Sequence, residues 1–188
     1  MPLSLPQLET DRLIIRDFRA EDLDDVHRIL DGEVEMPHKI SREERCVWLE
    51  WTIAGYKQYA ALYQPPYGER AIILQASGEL IGVVGFTPMF HPYGEMVAGT
   101  KLADARLLPE IGLYYALSPR HQRQGYTTEA AKALLDFGFD QLNLKRIVAN
   151  TDFDNAASIG VMKKLGLTIV KNDGTGPEWF EVLGVLER

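Results

Sequence analysis

The sequence has little cysteine and no long apolar run. Cys46 is the one cysteine in 188 residues, which rules out an internal disulfide and a cysteine-rich zinc site and favours a reducing compartment. No apolar run approaches the roughly 18 residues that a membrane helix needs, and Met1–Pro6 lacks the basic start and apolar core of a secretion signal. We therefore predict a cytoplasmic protein with no membrane partner.

Positive charge is also scarce. The chain carries 20 Lys and Arg against 27 Asp and Glu, a formal net charge of −7. This balance argues against nucleic-acid binding and is compatible with a basic acceptor, although a local basic patch can still hold an anion. The four histidines, at positions 27, 38, 91 and 121, show no metal-ligand spacing, so we predict no metal.

The remaining composition, with 46% hydrophobic and 25% charged residues, is typical of a globular protein. We predict one domain over residues 1–188, with a core from about residue 8, because a chain of this length buries roughly 70% of its unfolded surface. Alternation, helical spacing and turn residues predict the order βα(α)βββαβαββ. The predicted strands lie at 12–18, 70–76, 80–86, 111–117, 146–151, 167–171 and 179–186.

A long helix is predicted after the first strand and helix. Ser41 and Glu44 have the spacing of a capping box, so the helix begins there and runs toward position 63. Four aromatic residues on this helix are candidates for inward-facing positions: Trp48, Trp51, Tyr59 and Tyr63. Core packing is the favoured interpretation, and a wall of an acceptor pocket is the alternative.

The chemical centre is predicted in the turn after strand Ile111–Leu117. Ser118 and Pro119 stop the strand, and a polar turn leads through Gly125 into helical apolar spacing. The first four N–H groups of a helix have no internal partner, so several donors converge where a phosphate can bind. With one glycine, the turn matches neither the P-loop nor the dinucleotide-binding pattern, and a plain connection is equally compatible with it. Three side chains add positive or donor character: Arg120, His121 and Arg123.

A second capped segment follows strand Arg146–Thr151. Asn155 is a good N-cap residue, and Gly166 suits the position after a helix end. An apolar stripe lies between them: Ile159, Met162 and Leu165. We predict a short helix between the two caps.

These segments resemble the motifs of the GCN5-related N-acetyltransferases and, within that family, the ribosomal-protein alanine N-acetyltransferases. The resemblance runs from Leu8 to the end of the chain. The family's acetyl-CoA loop, Gln/Arg-x-x-Gly-x-Gly/Ala, is matched at Gln122 and Gly125, with Thr127 at the last position. Thr127 either weakens contact with the pyrophosphate or donates its hydroxyl to it.

The later family motif, Asn-x-x-Ala/Ser…Lys-x-Gly-Phe, is matched at Asn155, Ser158, Lys164 and Gly166, with Leu167 in place of Phe. The resemblance implies an α/β (α+β) fold with a mixed, mostly antiparallel central sheet flanked by helices, the acyl-CoA N-acyltransferase fold. In that fold the strands at 111–117 and 146–151 splay apart, and the pantetheine arm follows the backbone of residues 113–117. The resemblance implies that acetyl-CoA, the acetyl donor, is held by Leu117, Gln122, Arg123, Gln124, Gly125, Tyr126, Thr127, Thr128, Asn155 and Lys164.

Acetyl transfer needs a neutral amine, a polarised carbonyl and a proton for the departing thiolate. The resemblance implies that Glu110 is the base, acting directly or through water, for which burial would have to make its carboxylate more basic. A strand-capping Glu110 in solvent is the alternative. Many family members place a Tyr seven residues after the Asn, where this chain has Met162. Ser158 is therefore the candidate that donates to the thiolate or orders a water, and a local backbone bond is its alternative.

We predict an acetyl-CoA-dependent N-acetyltransferase that acts on a primary amine, with the N-terminal α-amine of a ribosomal protein as candidate acceptor. An α-amine with a pKa near 7.8 is neutral far more often at pH 7 than a lysine-like amine with a pKa near 10.4. A polyamine or aminoglycoside acceptor and a non-catalytic acetyl-CoA-binding module are the alternatives. The segment 87–108 is either an acceptor-side loop or a simple insertion, and a homodimer is left open.

Overall fold

The computed structural model describes residues 4–35, 38–91, 106–173 and 181–188. Its strands are β1 Leu8–Glu9, β2 Leu13–Arg16, β3 Gly68–Leu74, β4 Leu80–His91, β5 Leu108–Leu117, β6 Arg146–Thr151, β7 Thr168–Lys171 and β8 Val182–Glu187. Its α-helices are α1 Leu23–His27, α2 Arg42–Ala61, α3 Tyr126–Asp140 and α4 Ala156–Lys164. A π-helical segment, Arg28–Glu33, continues α1, and a 3-10 turn, Pro119–His121, precedes α3. The predicted order of elements is confirmed, with the short β1 in addition.

The chain packs as two compact units. Unit 1 comprises Met1–Phe86 and Tyr114–Leu142, and unit 2 comprises Thr87–Leu113 and Asn143–Arg188. The strand order is β1-β2-β3-β4-β5 in unit 1 and β4-β5-β6-β8-β7 in unit 2, since β4 and β5 contribute to both. The β5–β6 pair is parallel, whereas β1–β2, β2–β3, β3–β4, β6–β8 and β7–β8 are antiparallel. The mixed, mostly antiparallel sheet is therefore confirmed, and the single domain stays a prediction.

The start of α2 confirms the predicted capping box. The Glu44 N–H donates to Ser41 Oγ at 3.2 Å, and the Ser41 N–H donates to Glu44 Oε2 at 2.8 Å. These bonds satisfy two donors that a helix start otherwise leaves unpaired. No described helix is both long and apolar enough to cross a membrane.

Two of the four aromatic predictions on α2 are wrong. Trp48 packs edge-to-face on Phe18, with ring centroids 5.8 Å apart, but Trp51 is 62% exposed and Tyr63 is 84% exposed. The inward face of α2 is set by buried residues at positions 45, 49 and 52. Trp51 is turned by about 100° from position 52, and Tyr63 lies beyond the helix end at Ala61.

The core of unit 1 lies between the sheet and the first helices. Each fully buried aliphatic or aromatic side chain contributes roughly 1.5–3 kcal/mol relative to exposure. The clustered core residues are Phe18, Val26, Ile29, Leu30, Leu49, Ala71, Ile73, Leu80, Val83 and Ala116. The apolar face predicted for α3 is buried at Ala130, Ala131, Leu134, Leu135 and Gly138, and Phe137 and Phe139 are buried in addition.

Unit 2 is built on β6, which has the predicted bounds. Val148 packs with Leu183 and Val185 of β8. Met162 of α4 is buried, and its sulfur lies 2.8 Å from where a Cβ on Gly184 would be. The helix therefore packs on a glycine position of the sheet.

Several predicted boundaries are shifted. β4 extends to His91 and β5 begins at Leu108, so both ends of the predicted loop at 87–108 belong to strands. β8 begins at Val182, three residues later than predicted. Residues 92–105 and 174–180, on which the rest of these predictions fall, lie outside the described residues.

Candidate functional site

The turn before α3 has the geometry of an anion cradle. Gly125 is the N-cap residue of α3 with φ +85°, and Arg123 has φ +62°. Such left-handed residues next to right-handed ones turn backbone N–H groups inward. Within the described part of the chain no side chain caps the start of α3, so its first N–H groups can serve an anion. The Gln122 side-chain amide donates to the Leu117 carbonyl at 3.4 Å, which ties the turn to the end of β5.

Arg12 and Glu129 hold this turn from the side of β2. The Glu129 carboxylate accepts from Thr10 Oγ1 at 2.6 Å and from Arg12 Nε at 2.7 Å. Arg12 Nη1 also donates to the Gln124 carbonyl at 3.0 Å, and the guanidinium lies 4.4 Å from the ring centroid of Tyr126. Burial would raise the pKa of Glu129, but the bonds from Thr10 and Arg12 hold it below its usual value. The Glu129 carboxylate in the first turn of α3 therefore holds Arg12 in place, and Arg12 in turn holds the cradle backbone at Gln124.

The basic side chains at the turn differ in their partners. Arg120 forms an ion pair with Glu33 at 2.6 Å, and His121 Nε2 lies 3.5 Å from Glu79 Oε2. Arg123 is exposed and has no ion pair among the described residues. Of the three, Arg123 is thus the side chain that can turn toward a bound anion without breaking a salt bridge.

A buried contact fixes the end of β5 just before the cradle. Ser118 is fully buried, and its hydroxyl donates to Glu33 Oε2 at 2.5 Å. Glu33 also accepts from Arg28 Nη1 at 2.7 Å. Burial would raise the pKa of Glu33, but the Ser118 and Arg28 bonds hold it below its usual value. The π-helical segment is therefore attached to the strand that leads into the cradle.

In unit 2, the second motif forms the capped helix that was predicted. Asn155 Oδ1 accepts from the Ser158 N–H at 3.0 Å, so Asn155 is the N-cap of α4. Ser158 lies partly buried in the first turn, and Lys164 is exposed in the last turn. Gly166 follows the helix with φ +85°. The helix caps are confirmed, while the cofactor contacts of Asn155 and Lys164 stay predictions.

Glu110 is buried inside β5 and does not cap the strand in solvent. Its side chain is 5% exposed. Arg146 Nε donates to Glu110 Oε2 at 3.0 Å, and Arg146 Nη2 binds Oε1, a bidentate pair. Arg146 Nη1 also binds Glu187 at 3.1 Å, and the Glu110 bond is the largest cause that raises the pKa of Arg146. A base role for Glu110 would use the carboxylate lone pairs that Arg146 leaves open.

Strand β6, which begins with Arg146, pairs with β5 at one position. β5 and β6 are fully described, and they pair in parallel at Gly112 and Val148. β6 pairs with β8 over its whole length, from Arg146 to Thr151. A single parallel pairing is compatible with the splay that the family resemblance implies.

Residues 12–168 match the family profile described as acetyltransferase (GNAT) domain. The chain belongs to this family. YoaA of Bacillus subtilis, an uncharacterized N-acetyltransferase, is 33% identical over 163 residues, 86% of this chain and 82% of the relative. The spermidine N(1)-acetyltransferase of Escherichia coli is 25% identical over 158 residues, 82% of this chain and 72% of the relative. A structure of RimL, a ribosomal L7/L12 alpha-N-protein acetyltransferase in complex with coenzyme A, superposes with TM-score 0.65 at 16% identity over 95% of both chains.

As a GNAT acetyltransferase, the chain is an acyl-CoA-dependent transferase. The cradle residues that the sequence singled out, from Leu117 to Thr128, lie in unit 1, and Glu110, Asn155, Ser158 and Lys164 lie in unit 2. Sequence reasoning missed the roles of Arg12 and Glu33. The Arg12–Glu129 and Glu33–Ser118 contacts each join residues more than 80 positions apart, and no local spacing signals such contacts.

Proposed function

We propose that this acetyltransferase transfers the acetyl group of acetyl-CoA to a primary amine by direct attack. The observation that carries the proposal is the start of α3, which no described side chain caps and which follows the left-handed Arg123 and Gly125. N–H groups from Arg123 to Thr128 would bind the pyrophosphate. Charge-assisted bonds contribute roughly 1.5–3 kcal/mol each, against roughly 0.3–1 kcal/mol from the helix dipole, so the hydrogen bonds dominate. Leu117, Asn155 and Lys164 would complete the cofactor contacts.

The chemistry assigned to the chain's own residues follows the family resemblance. Glu110 would take the proton that the amine loses as its nitrogen bonds to the acetyl carbon and the carbon–sulfur bond breaks. Ser158 would supply a proton to the departing thiolate or order the water that does so. Ser158 is partly buried, and its backbone N–H is the group that donates to Asn155 Oδ1. Both observations are compatible with either role of its hydroxyl.

Two acceptor classes fit this activity. An N-terminal α-amine of a ribosomal protein is the first, because such amines are often neutral at pH 7. RimL, which has a similar fold, is a ribosomal L7/L12 alpha-N-protein acetyltransferase. A small polyamine-type amine is the second, supported by the similarity to the spermidine acetyltransferase. A silent acetyl-CoA-binding module is the non-catalytic alternative.

The test is the thermal unfolding midpoint with acetyl-CoA or CoA, with ATP and NAD as controls. At about 100 times Kd a ligand stabilises by roughly 2.7 kcal/mol, which corresponds to a rise of roughly 5–11 °C for a chain of this size. We expect this rise with both CoA species and none with ATP or NAD. No shift with either CoA species at millimolar concentration would overturn the proposal.

A further inference from the structure

Glu69, Gly85 and Tyr114 form one row across three neighbouring strands of unit 1. The β3–β4 register pairs Glu69 with Gly85. The Ser118 N–H donates to the Ile81 carbonyl at 2.9 Å. One residue further along β4, a Cβ on Gly82 would lie 3.1 Å from the Leu117 Cα of β5. The two contacts progress in opposite directions along the strands, so the pair is antiparallel, and counting three residues further places Tyr114 opposite Gly85.

The middle position of this row is bare. Neighbouring strands lie about 4.8 Å apart, so the Glu69 and Tyr114 backbones are separated by about 10 Å. Directly paired residues point to the same face of a sheet, so a carboxylate and a phenol flank a glycine that has no side chain. A Cβ on Gly85 would lie 2.4 Å from the Gly68 carbonyl oxygen, which keeps this position free of any larger residue. Gly85 therefore places no side chain in the gap between the Glu69 carboxylate and the Tyr114 phenol.

This row is also where the face changes from apolar to polar. Two pairings further along, on the same face, Ala71 and Val83 belong to the buried core. Glu69 and Tyr114 are both partly buried. The polar pair therefore lies at the end of an apolar surface, where a ligand's hydrocarbon part and its polar end would both find suitable contacts.

In the part of the chain that the structure describes, the carboxylate of Glu69 has no countercharge of its own. Among the residues that the structure describes, no side chain forms an ion pair or hydrogen bond with it, and its one hydrogen bond is to its own N–H. Arg45 and Arg70 act on it at longer range but are paired with Asp31 and Asp17, respectively. Burial raises the pKa of Glu69, because its desolvation outweighs the bond from its own N–H and the longer-range charges of Arg45 and Arg70. A cation bound in the gap would supply the missing charge.

Tyr114 can share that cation. Burial raises the pKa of Tyr114 to about 12, so at neutral pH its hydroxyl is uncharged and its oxygen can accept a hydrogen bond from an ammonium. The Glu69 carboxylate would attract the ammonium by its charge, and the Tyr114 oxygen would orient it by accepting a hydrogen bond. The pair is thus suited to a primary ammonium and unsuited to an anion.

We propose that Glu69 and Tyr114 bind a second, non-reacting ammonium group of the acceptor. The inference rests on the proposed function, since the reacting amine must be neutral and a carboxylate favours a charged one. The acceptor class is therefore a primary amine that carries another protonated amino group, as a polyamine, an amino sugar or a lysine-containing N-terminal peptide does. Glu69 is a specificity-determining residue in this assignment and takes no part in proton transfer.

The test compares n-butylamine with 1,4-diaminobutane, which differ by one ammonium, by calorimetry on the CoA-saturated full chain. Spermidine and an Ala-Lys peptide serve as further arms that distinguish the source of the second ammonium. We expect the wild type to bind at least one dication roughly 10-fold or more tightly than n-butylamine, the value of one charge-assisted hydrogen bond. Glu69→Gln should abolish this preference, and Tyr114→Phe should reduce it.

Glu50→Gln, at an exposed glutamate of α2, is the matched control and should retain the preference. The proposal is overturned when no dication is preferred by the wild type, or when both Glu69→Gln and Tyr114→Phe retain the preference. The thermal shift with CoA separates the two proposals. If CoA raises the unfolding midpoint of the wild type but no dication is preferred, the ammonium subsite alone is overturned. If CoA does not raise the midpoint, the proposed function is overturned.

Discussion

Glu110 and Arg146 show what single residues contribute to the predicted chemistry. Glu110 could be predicted as a candidate base from its position before the cradle in the family pattern. Arg146 could not, because it is 36 residues away and reads in the sequence only as the first residue of a strand. The structure joins them in a buried bidentate pair, so a change at Glu110 acts on stability as well as on the proposed base role.

Glu110→Gln should lower kcat and the free energy of unfolding together. Removal of one partner of a buried ion pair costs about 3–5 kcal/mol, and we expect the low end because Arg146 keeps Glu187 at 3.1 Å. Chemical denaturation measures the stability and a pH–rate profile measures the base role. Glu187→Gln, at the 47% exposed partner, is the control and should cost less than about 1 kcal/mol. A fall in kcat with an unaltered pH profile would count against Glu110 as the base.

Gly125→Val should raise the KM for acetyl-CoA. The φ of +85° is one that a β-branched residue rarely adopts, and a Cβ would approach Arg12 Nη2 to 3.4 Å, so the cradle backbone would have to move. Gly78→Val is a matched control, because Gly78 has φ +74° and open space around it in the β3–β4 turn. Both variants should lose stability, and Gly125→Val alone should lose cofactor affinity. An equal KM for acetyl-CoA in Gly125→Val and Gly78→Val would contradict the assignment of the cradle as the cofactor site.

At the scale of elements, the π-helical segment Arg28–Glu33 is where local sequence reasoning fails. Asp31 and Gly32 are a local signal for the end of a helix, yet helical structure continues to Glu33. Asp31 is held by Arg45 of α2 at 2.8 Å, and Glu33 is held by Ser118. Contacts with distant residues therefore extend the segment past its local stop signals.

The Glu33 contacts predict a pH dependence of stability. The pKa of Glu33 is held below its usual value of 4.5, so its ionised form stabilises the folded protein above that pH, and this contribution is lost as pH falls through the lowered value. Glu33→Gln removes the contribution at every pH. We expect the variant to be less stable by about 1–3 kcal/mol near pH 7 and the difference to shrink below about pH 4.5.

Denaturant melts of wild type and Glu33→Gln at several pH values measure this difference. Glu50→Gln, in the exposed part of α2, should show no such trend. A stability difference that stays constant from pH 7 to pH 3 would contradict the role of the Glu33 charge.

At the scale of the whole molecule, the order of strands and helices could be predicted because each follows from local periodicity and turn chemistry. β1 was missed because two residues, Leu8 and Glu9, cannot show a period. The motif positions of the candidate site are likewise local. The contacts that hold them are not local, since Arg12 meets Glu129 and Glu33 meets Ser118 through sheet order and packing, which a single sequence does not encode in any spacing.

The net charge of −7 should act on acceptors independently of any one contact. A dication is attracted by this field twice as strongly as a monocation, and the Debye length falls from about 30 Å at 0.01 M salt to about 8 Å at 0.15 M. Raising the salt should therefore weaken 1,4-diaminobutane binding more than n-butylamine binding. Because Glu69→Gln removes one of 27 acidic charges, the variant should keep most of this salt dependence while losing the preference at fixed salt. Equal salt dependence for the two amines, measured by calorimetry, would mean that short-range contacts alone select the acceptor.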